Sequence, residues 1–159
     1  MKRAKLMLLI VAFGLFISGV TVWPAIPELK MGVKILEAIG EPVGELQKFV
    51  VKVIEGLEVV KRDHHFLMYG YDWLAFAHVC LAILFAGAAK DPVLNKWIVQ
   101  CGIIMCCLIP VLAGICIPWR GIPWFWFLFD FSFAPAAALP LLIALRDINR
   151  AERASGPPG

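Results

Sequence analysis

The chain has 159 residues, 61% hydrophobic and only 17% charged, whereas a soluble globular domain is roughly 45–50% apolar and about 25% charged. Its mean hydropathy is +0.82, and the apolar excess sits in long runs near the roughly 20 residues that cross a bilayer, which excludes an ordinary soluble domain and leaves no length for a second one. The net charge of +3 is not gathered into a basic, aromatic-interleaved patch, so nucleic acid is excluded as the expected partner.

The expected fold is an all-α membrane protein. One integral domain over 1–159 would hold four transmembrane helices, with a two-helix amphipathic extracytoplasmic segment between the first and second. The basic head Met1–Lys5 precedes an apolar run to Val22 that ends at Trp23-Pro24. A basic start and an apolar run also fit a secretory signal, but Val22, Trp23 and Pro24 are poor small-residue cleavage positions. An uncleaved first span over about 6–23 is therefore expected.

Residues 27–63 form the longest polar-containing stretch. Leu29, Leu36, Val43, Val50 and Leu57 make one apolar row, and Ile39, Leu46, Val53 and Val60 a second. Gly40-Glu41-Pro42 interrupts the pattern, because proline suits a first helical turn and not an interior. Two amphipathic helices are expected, about Glu28–Ile39 and Glu41–Arg62, lying on the membrane or capping the bundle mouth. A self-association seam is the sharper alternative, weakened by Gly32, Gly44 and Gly56.

The second span is expected over 66–89, ended by Lys90-Asp91-Pro92. The third covers 97–117, with Pro110 inside it and the small pair Gly102 and Cys106 suited to close helix contact. Pro118–Pro123 reads as a tight turn. The fourth span covers 123–145, and 146–159 is a charged, frayed tail. Five cysteines fall in or beside the spans without a C-x-x-C pair. They read as small apolar residues, and the outer loops lack the paired thiols of a four-span disulfide-generating oxidoreductase.

An even number of spans puts both termini on one side, and the basic head makes that side cytoplasmic. The expected location is multi-pass in the bacterial inner (plasma) membrane. The lipid bilayer is the first partner, and a second copy or another membrane protein the next.

Ionisable groups in hydrocarbon cost about 2.5–3.5 kcal/mol each on insertion scales and are functional candidates by default. Asp72 would lie about 9 Å below Phe66, and Asp130 about 10 Å below Pro123. Both spans enter from the outer face in this topology, so the two acids share a layer. His78 would lie about 18 Å down, on the face of Tyr71 and turned about 120° from Asp72, so that one faces a helix and the other a cavity. Arg120, in the turn above, would neutralise one acid. Two carboxylates sharing a site do not both ionise and hold a proton or a cation. His64 and His65 at the rim are weak metal candidates, since three or four converging ligands are needed. No cofactor is expected. A two-histidine haem needs a buried histidine on a second span, and no other span has one.

The segments YGYDWLAFAH (Tyr69–His78) and RGIPWFWFLFDFSF (Arg120–Phe133) resemble those of small four-span bacterial inner-membrane proteins. That resemblance brings no activity, ligand or catalytic residue. The chain lacks the arginine-rich signature of small four-span glutathione-dependent enzymes and the early membrane glutamate of small multidrug exporters. The leading expectation is an outer-facing polar pocket, lined by Tyr71, Asp72, His78, Arg120 and Asp130, that binds a small cation, a proton or a lipid headgroup. Two alternatives stand beside it: an accessory subunit whose buried polar groups only fix helix packing, and a membrane enzyme using the acids as a pair.

Overall fold

The computed structural model describes residues 1–40 and 43–155. The regular elements are helical: α1 (Lys2–Val20), α2 (Ala25–Ile39), α3 (Gly44–Asp63), a short 3-10 turn at His65–Met68, α4 (Tyr69–Ala88), α5 (Lys96–Trp119) and α6 (Trp126–Ser155). Glu41 and Pro42, expected at the break between the outer helices, and residues 156–159 of the tail lie outside the described residues.

Among the described residues four stretches are long and apolar enough to cross a bilayer: Lys2–Val20, His65–Ala88, Lys96–Trp119 and Trp126–Ala154. Only 17–28% of their apolar windows is buried within the protein. In water such helices would hide their apolar surface in a core; here Phe13, Ile83, Leu112 and Ile115 stand exposed, as lipid contact requires.

The chain divides into two compact units. One comprises Met1–Leu15 and Leu81–Gly159. Its core brings Leu8 of α1, Phe85 of α4, Val99 of α5 and Leu141 and Ile148 of α6 into one cluster. Gly102 and Cys106 are buried on α5. A Cβ on Gly102 would stand 2.7 Å from Phe85 Cζ and 2.8 Å from Leu141 Cδ1, so the absent side chain is what lets three helices close up.

Two expectations change in this unit. The tail is not frayed at residue 145: α6 runs on to Ser155. Ile148 is fully buried, Asp147 accepts from Arg3 (Nε to Oδ2, 2.8 Å, with Nη2 on Oδ1) and Glu152 takes Lys96 at 2.6 Å. The third span also passes its expected end, running through Pro118 to Trp119. It stops in a Schellman motif rather than a proline turn. The Gly121 N–H donates to the Pro118 carbonyl and the Ile122 N–H to the Ile117 carbonyl. Gly121 at φ 65° supplies the left-handed residue this motif needs. Pro110 and Pro135 stand inside continuous helices, where each removes one backbone N–H.

The other unit is Phe16–Cys80. α2 packs on α3, and α3 buries Val50, Ile54 and Leu57, spaced four and three residues apart on one face. Lys30 pairs with Glu58 at 2.6 Å. The α2 face carrying Met31, Ile35 and Ile39 stays exposed. Gly19 near the end of α1 meets α4 so closely that a Cβ would lie 2.8 Å from the Ala75 carbonyl oxygen and 3.1 Å from His78 Cβ.

Candidate functional site

α4 begins directly after the 3-10 turn, so its first turns carry the polar and aromatic residues. Tyr69, Asp72, Trp73 and Phe76 lie three, four and seven residues apart, hence on one helical face. They line an open cleft of about 240 Å³. The rings meet edge to face, Tyr69 on Trp73 with centroids 6.1 Å apart and Trp73 on Phe76 with centroids 5.8 Å apart. That edge-to-face geometry is the favoured one for aromatic pairs.

Asp72 is held from a second direction. Trp23 Nε1, in the connection after α1, donates to Asp72 Oδ1 at 3.1 Å. The carboxylate remains solvent-exposed, and its second oxygen has no partner among the described residues. The result is one carboxyl group sharing a cleft with three aromatic rings.

His78 faces elsewhere. Its Nδ1 bonds the Leu74 carbonyl at 2.8 Å. A carbonyl only accepts, so Nδ1 carries the proton there and Nε2 is the free nitrogen. Its Cβ abuts Gly19, beside the fully buried Ala75. Tyr71 is exposed and does not line the cleft; Tyr69 does. The cleft therefore takes Asp72 from the expected set and adds Tyr69, Trp73, Phe76 and the Trp23 anchor. The spacing of Tyr69, Trp73 and Phe76 around Asp72 is the sequence signal that carries this cleft.

Arg120 and Asp130 belong to the unit containing α5 and α6. Arg120 is the C-cap residue of α5, and its guanidinium carbon lies 5.1 Å from the Trp119 ring centroid. Asp130 is half-buried, and the Trp126 side chain one turn earlier acts on its carboxyl group.

His64 packs edge-on against Phe66 with centroids 6.4 Å apart. Among the described residues no group of three or more His, Cys, Asp or Glu gathers in a way that would hold a metal ion, so His64 and His65 gain no third ligand within those residues. The cysteines are free thiols, Cys106 buried and Cys80 and Cys107 exposed.

No family model, no curated protein and no solved structure matches this chain. What the cleft does chemically therefore rests on its own groups. A divalent cation stripped of its water needs about six oxygen ligands, and one carboxylate does not supply them. An organic ammonium needs one counter-charge and aromatic faces within roughly 6 Å; Asp72 is the acid of this cleft, and Tyr69, Trp73 and Phe76 are the aromatic residues that line it.

Proposed function

We propose that this is a multi-pass inner-membrane binding protein, with both termini cytoplasmic, whose outward-facing half holds a small organic cation or the ammonium of a lipid headgroup at Asp72. The observation that carries the reading is the cleft lined by Tyr69, Asp72, Trp73 and Phe76. Each ring offers a cation about 0.5–2 kcal/mol, more as water is excluded, and Asp72 sets the sign of the ligand. The shared placement of the termini is supported by the Arg3–Asp147 pair. The amphipathic α2–α3 segment lies on the outer surface with Met31, Ile35 and Ile39 toward lipid, a reading supported by their exposure.

The test is thermal unfolding of the full chain in detergent, with tetramethylammonium chloride against sodium chloride at equal ionic strength. Stabilisation of the native chain by tetramethylammonium beyond sodium, lost in Asp72→Asn, is the expected result. Equal effects of the two salts on the native chain would overturn it.

A second reading, in which Asp72 only fixes helix packing, is favoured by the Trp23 bond. It expects Asp72→Asn to lower stability equally in both salts.

A further inference from the structure

The termini-bearing end of the first unit carries a charge imbalance that the cation site does not use. Residues 1–5, 90–96 and 146–153 hold eight of the fifteen Lys and Arg but three of the twelve acids. Those acids are already engaged. Asp147 is taken by Arg3 of α1, and Glu152 by Lys96 of α5. Asp91 Oδ1 accepts the Leu94 N–H at 3.1 Å, closing the turn before α5. The Met1 ammonium and Arg150 act on the same Asp147 carboxylate as Arg3, so one negative charge stands among three positive ones.

Arg146, Arg150 and Arg153 are exposed, and no carboxylate among the described residues pairs with them at ion-pair distance. Their spacing of four and three puts them on one face of α6. The same face continues downward through Leu142 and Leu139, both exposed. One helix face therefore reads hydrocarbon first and guanidinium above it. That is the order of an acyl chain and its phosphate, and guanidinium matches phosphate oxygens bidentately. A soluble anion would have no use for the leucines below.

We propose that this arginine stripe, with the Met1 end of α1 beside it, is a binding site for the headgroup phosphate of an anionic phospholipid. The three arginines grip the phosphate oxygens. Leu139 and Leu142 line the first segment of the acyl chain. The Arg3–Asp147 and Lys96–Glu152 pairs keep the neighbouring acids from competing for the guanidinium groups. The site shares only the membrane setting with the cation cleft at Asp72 and stands or falls separately from it.

The experiment uses the full chain in detergent, exchanged into phosphatidylcholine nanodiscs with or without phosphatidylglycerol. Lipid retained after mild delipidation is counted by native mass spectrometry. Phosphatidylglycerol should be retained over phosphatidylcholine. Each arginine changed to glutamine should weaken that preference about five-fold, the equivalent of about 1 kcal/mol per cation near a charged surface. The R146Q/R150Q/R153Q chain should lose it while remaining folded in phosphatidylcholine alone. Should the triple variant unfold, R153Q alone decides, because Arg153 lies near the end of α6 and holds no ion pair among the described residues. Equal retention of the two lipids by the native chain overturns the proposal. So does displacement of phosphatidylglycerol by millimolar inorganic phosphate, which would mark a soluble-anion site.

Discussion

Trp23 Nε1 donates to Asp72 Oδ1 at 3.1 Å across 49 positions of sequence. The bond does two separable things. It fixes the connection after α1 to the start of α4, and it leaves the second carboxylate oxygen without a partner among the described residues. Trp23→Phe removes the donor and keeps the ring. It should cost about 0.5–1.5 kcal/mol, the net worth of an ordinary hydrogen bond, read as a lower melting temperature in detergent. Asp72→Asn keeps an acceptor oxygen for the indole and removes the charge. Its unfolding temperature should stay closer to native than that of Trp23→Phe, while its response to tetramethylammonium disappears. The reverse order would show that charge, not the hydrogen bond, holds the two segments.

The glycines give a sharper stability test, because space decides the sign. A Cβ at Gly19 would meet the Ala75 backbone oxygen at 2.8 Å, and one at Gly102 the tips of Phe85 and Leu141 at 2.7 and 2.8 Å. Phe85 and Leu141 are themselves buried and have nowhere to turn. Gly19→Ala and Gly102→Ala should each cost about 1–3 kcal/mol, the range for overpacking a filled core. Gly87 and Gly114 have nothing within 4 Å. Alanine there should be neutral or stabilise by up to about 1 kcal/mol, from helix propensity alone. Denaturant titration of the four variants checks both directions at once.

Much of this was legible in the sequence, and for identifiable reasons. The four spans show as apolar runs because lipid demands continuous hydrophobicity, and Gly102 beside Cys106 announces a close crossing because both side chains are small. The helix ends were harder to read. The third span ends at Trp119 because Gly121 closes a Schellman motif, a signal hidden between two prolines. The charged residues after Leu145 look like a solvated tail. They are helix because Asp147 and Glu152 each find a cation contributed by a different helix, and only the fold supplies those partners. Tyr71 was expected at the site on account of its shared face with His78. That face packs on Gly19, and the cleft opens on the Tyr69 face instead.

Helices α2 and α3 should respond to acid in a defined sense. The Lys30 ammonium hydrogen-bonded to Glu58 holds that carboxyl below its ordinary value of 4.5, and Lys30's charge adds to the effect. A folded-state value below the unfolded one gives stability that is present above the unfolded value and lost as pH falls through the lowered one. The α2–α3 contact should therefore be insensitive between neutral pH and about 4.5 and loosen in more acid solution. Glu58 is exposed, so the effect is small and screened by salt. Hydrogen exchange of α2 amides at descending pH, native against Glu58→Gln, reads it. The two chains should differ at neutral pH and converge in acid. A difference that persists unchanged below pH 3 would assign the variant's effect to something other than the Lys30 pair.

The Arg3–Asp147 pair ties the first helix to the last across 144 positions, with the guanidinium Nε and Nη2 donating to the two oxygens of one carboxylate. The Arg3 side chain is 57% exposed and that of Asp147 only 11%. The two single variants should therefore be unequal. Arg3→Gln leaves Asp147 with the Met1 ammonium and Arg150 still acting on it, so the melting temperature should fall little. Asp147→Asn removes the one negative charge among three positive ones, leaving Met1, Arg3 and Arg150 to repel one another, and it should fall further. Exchanging the pair, Arg3→Asp with Asp147→Arg, restores the contact but puts the new arginine beside Arg146 and Arg150, so recovery should be partial. Full recovery on exchange would mean that the surrounding cations exert no force at this end, and the excess positive charge assigned to it would have no energetic consequence.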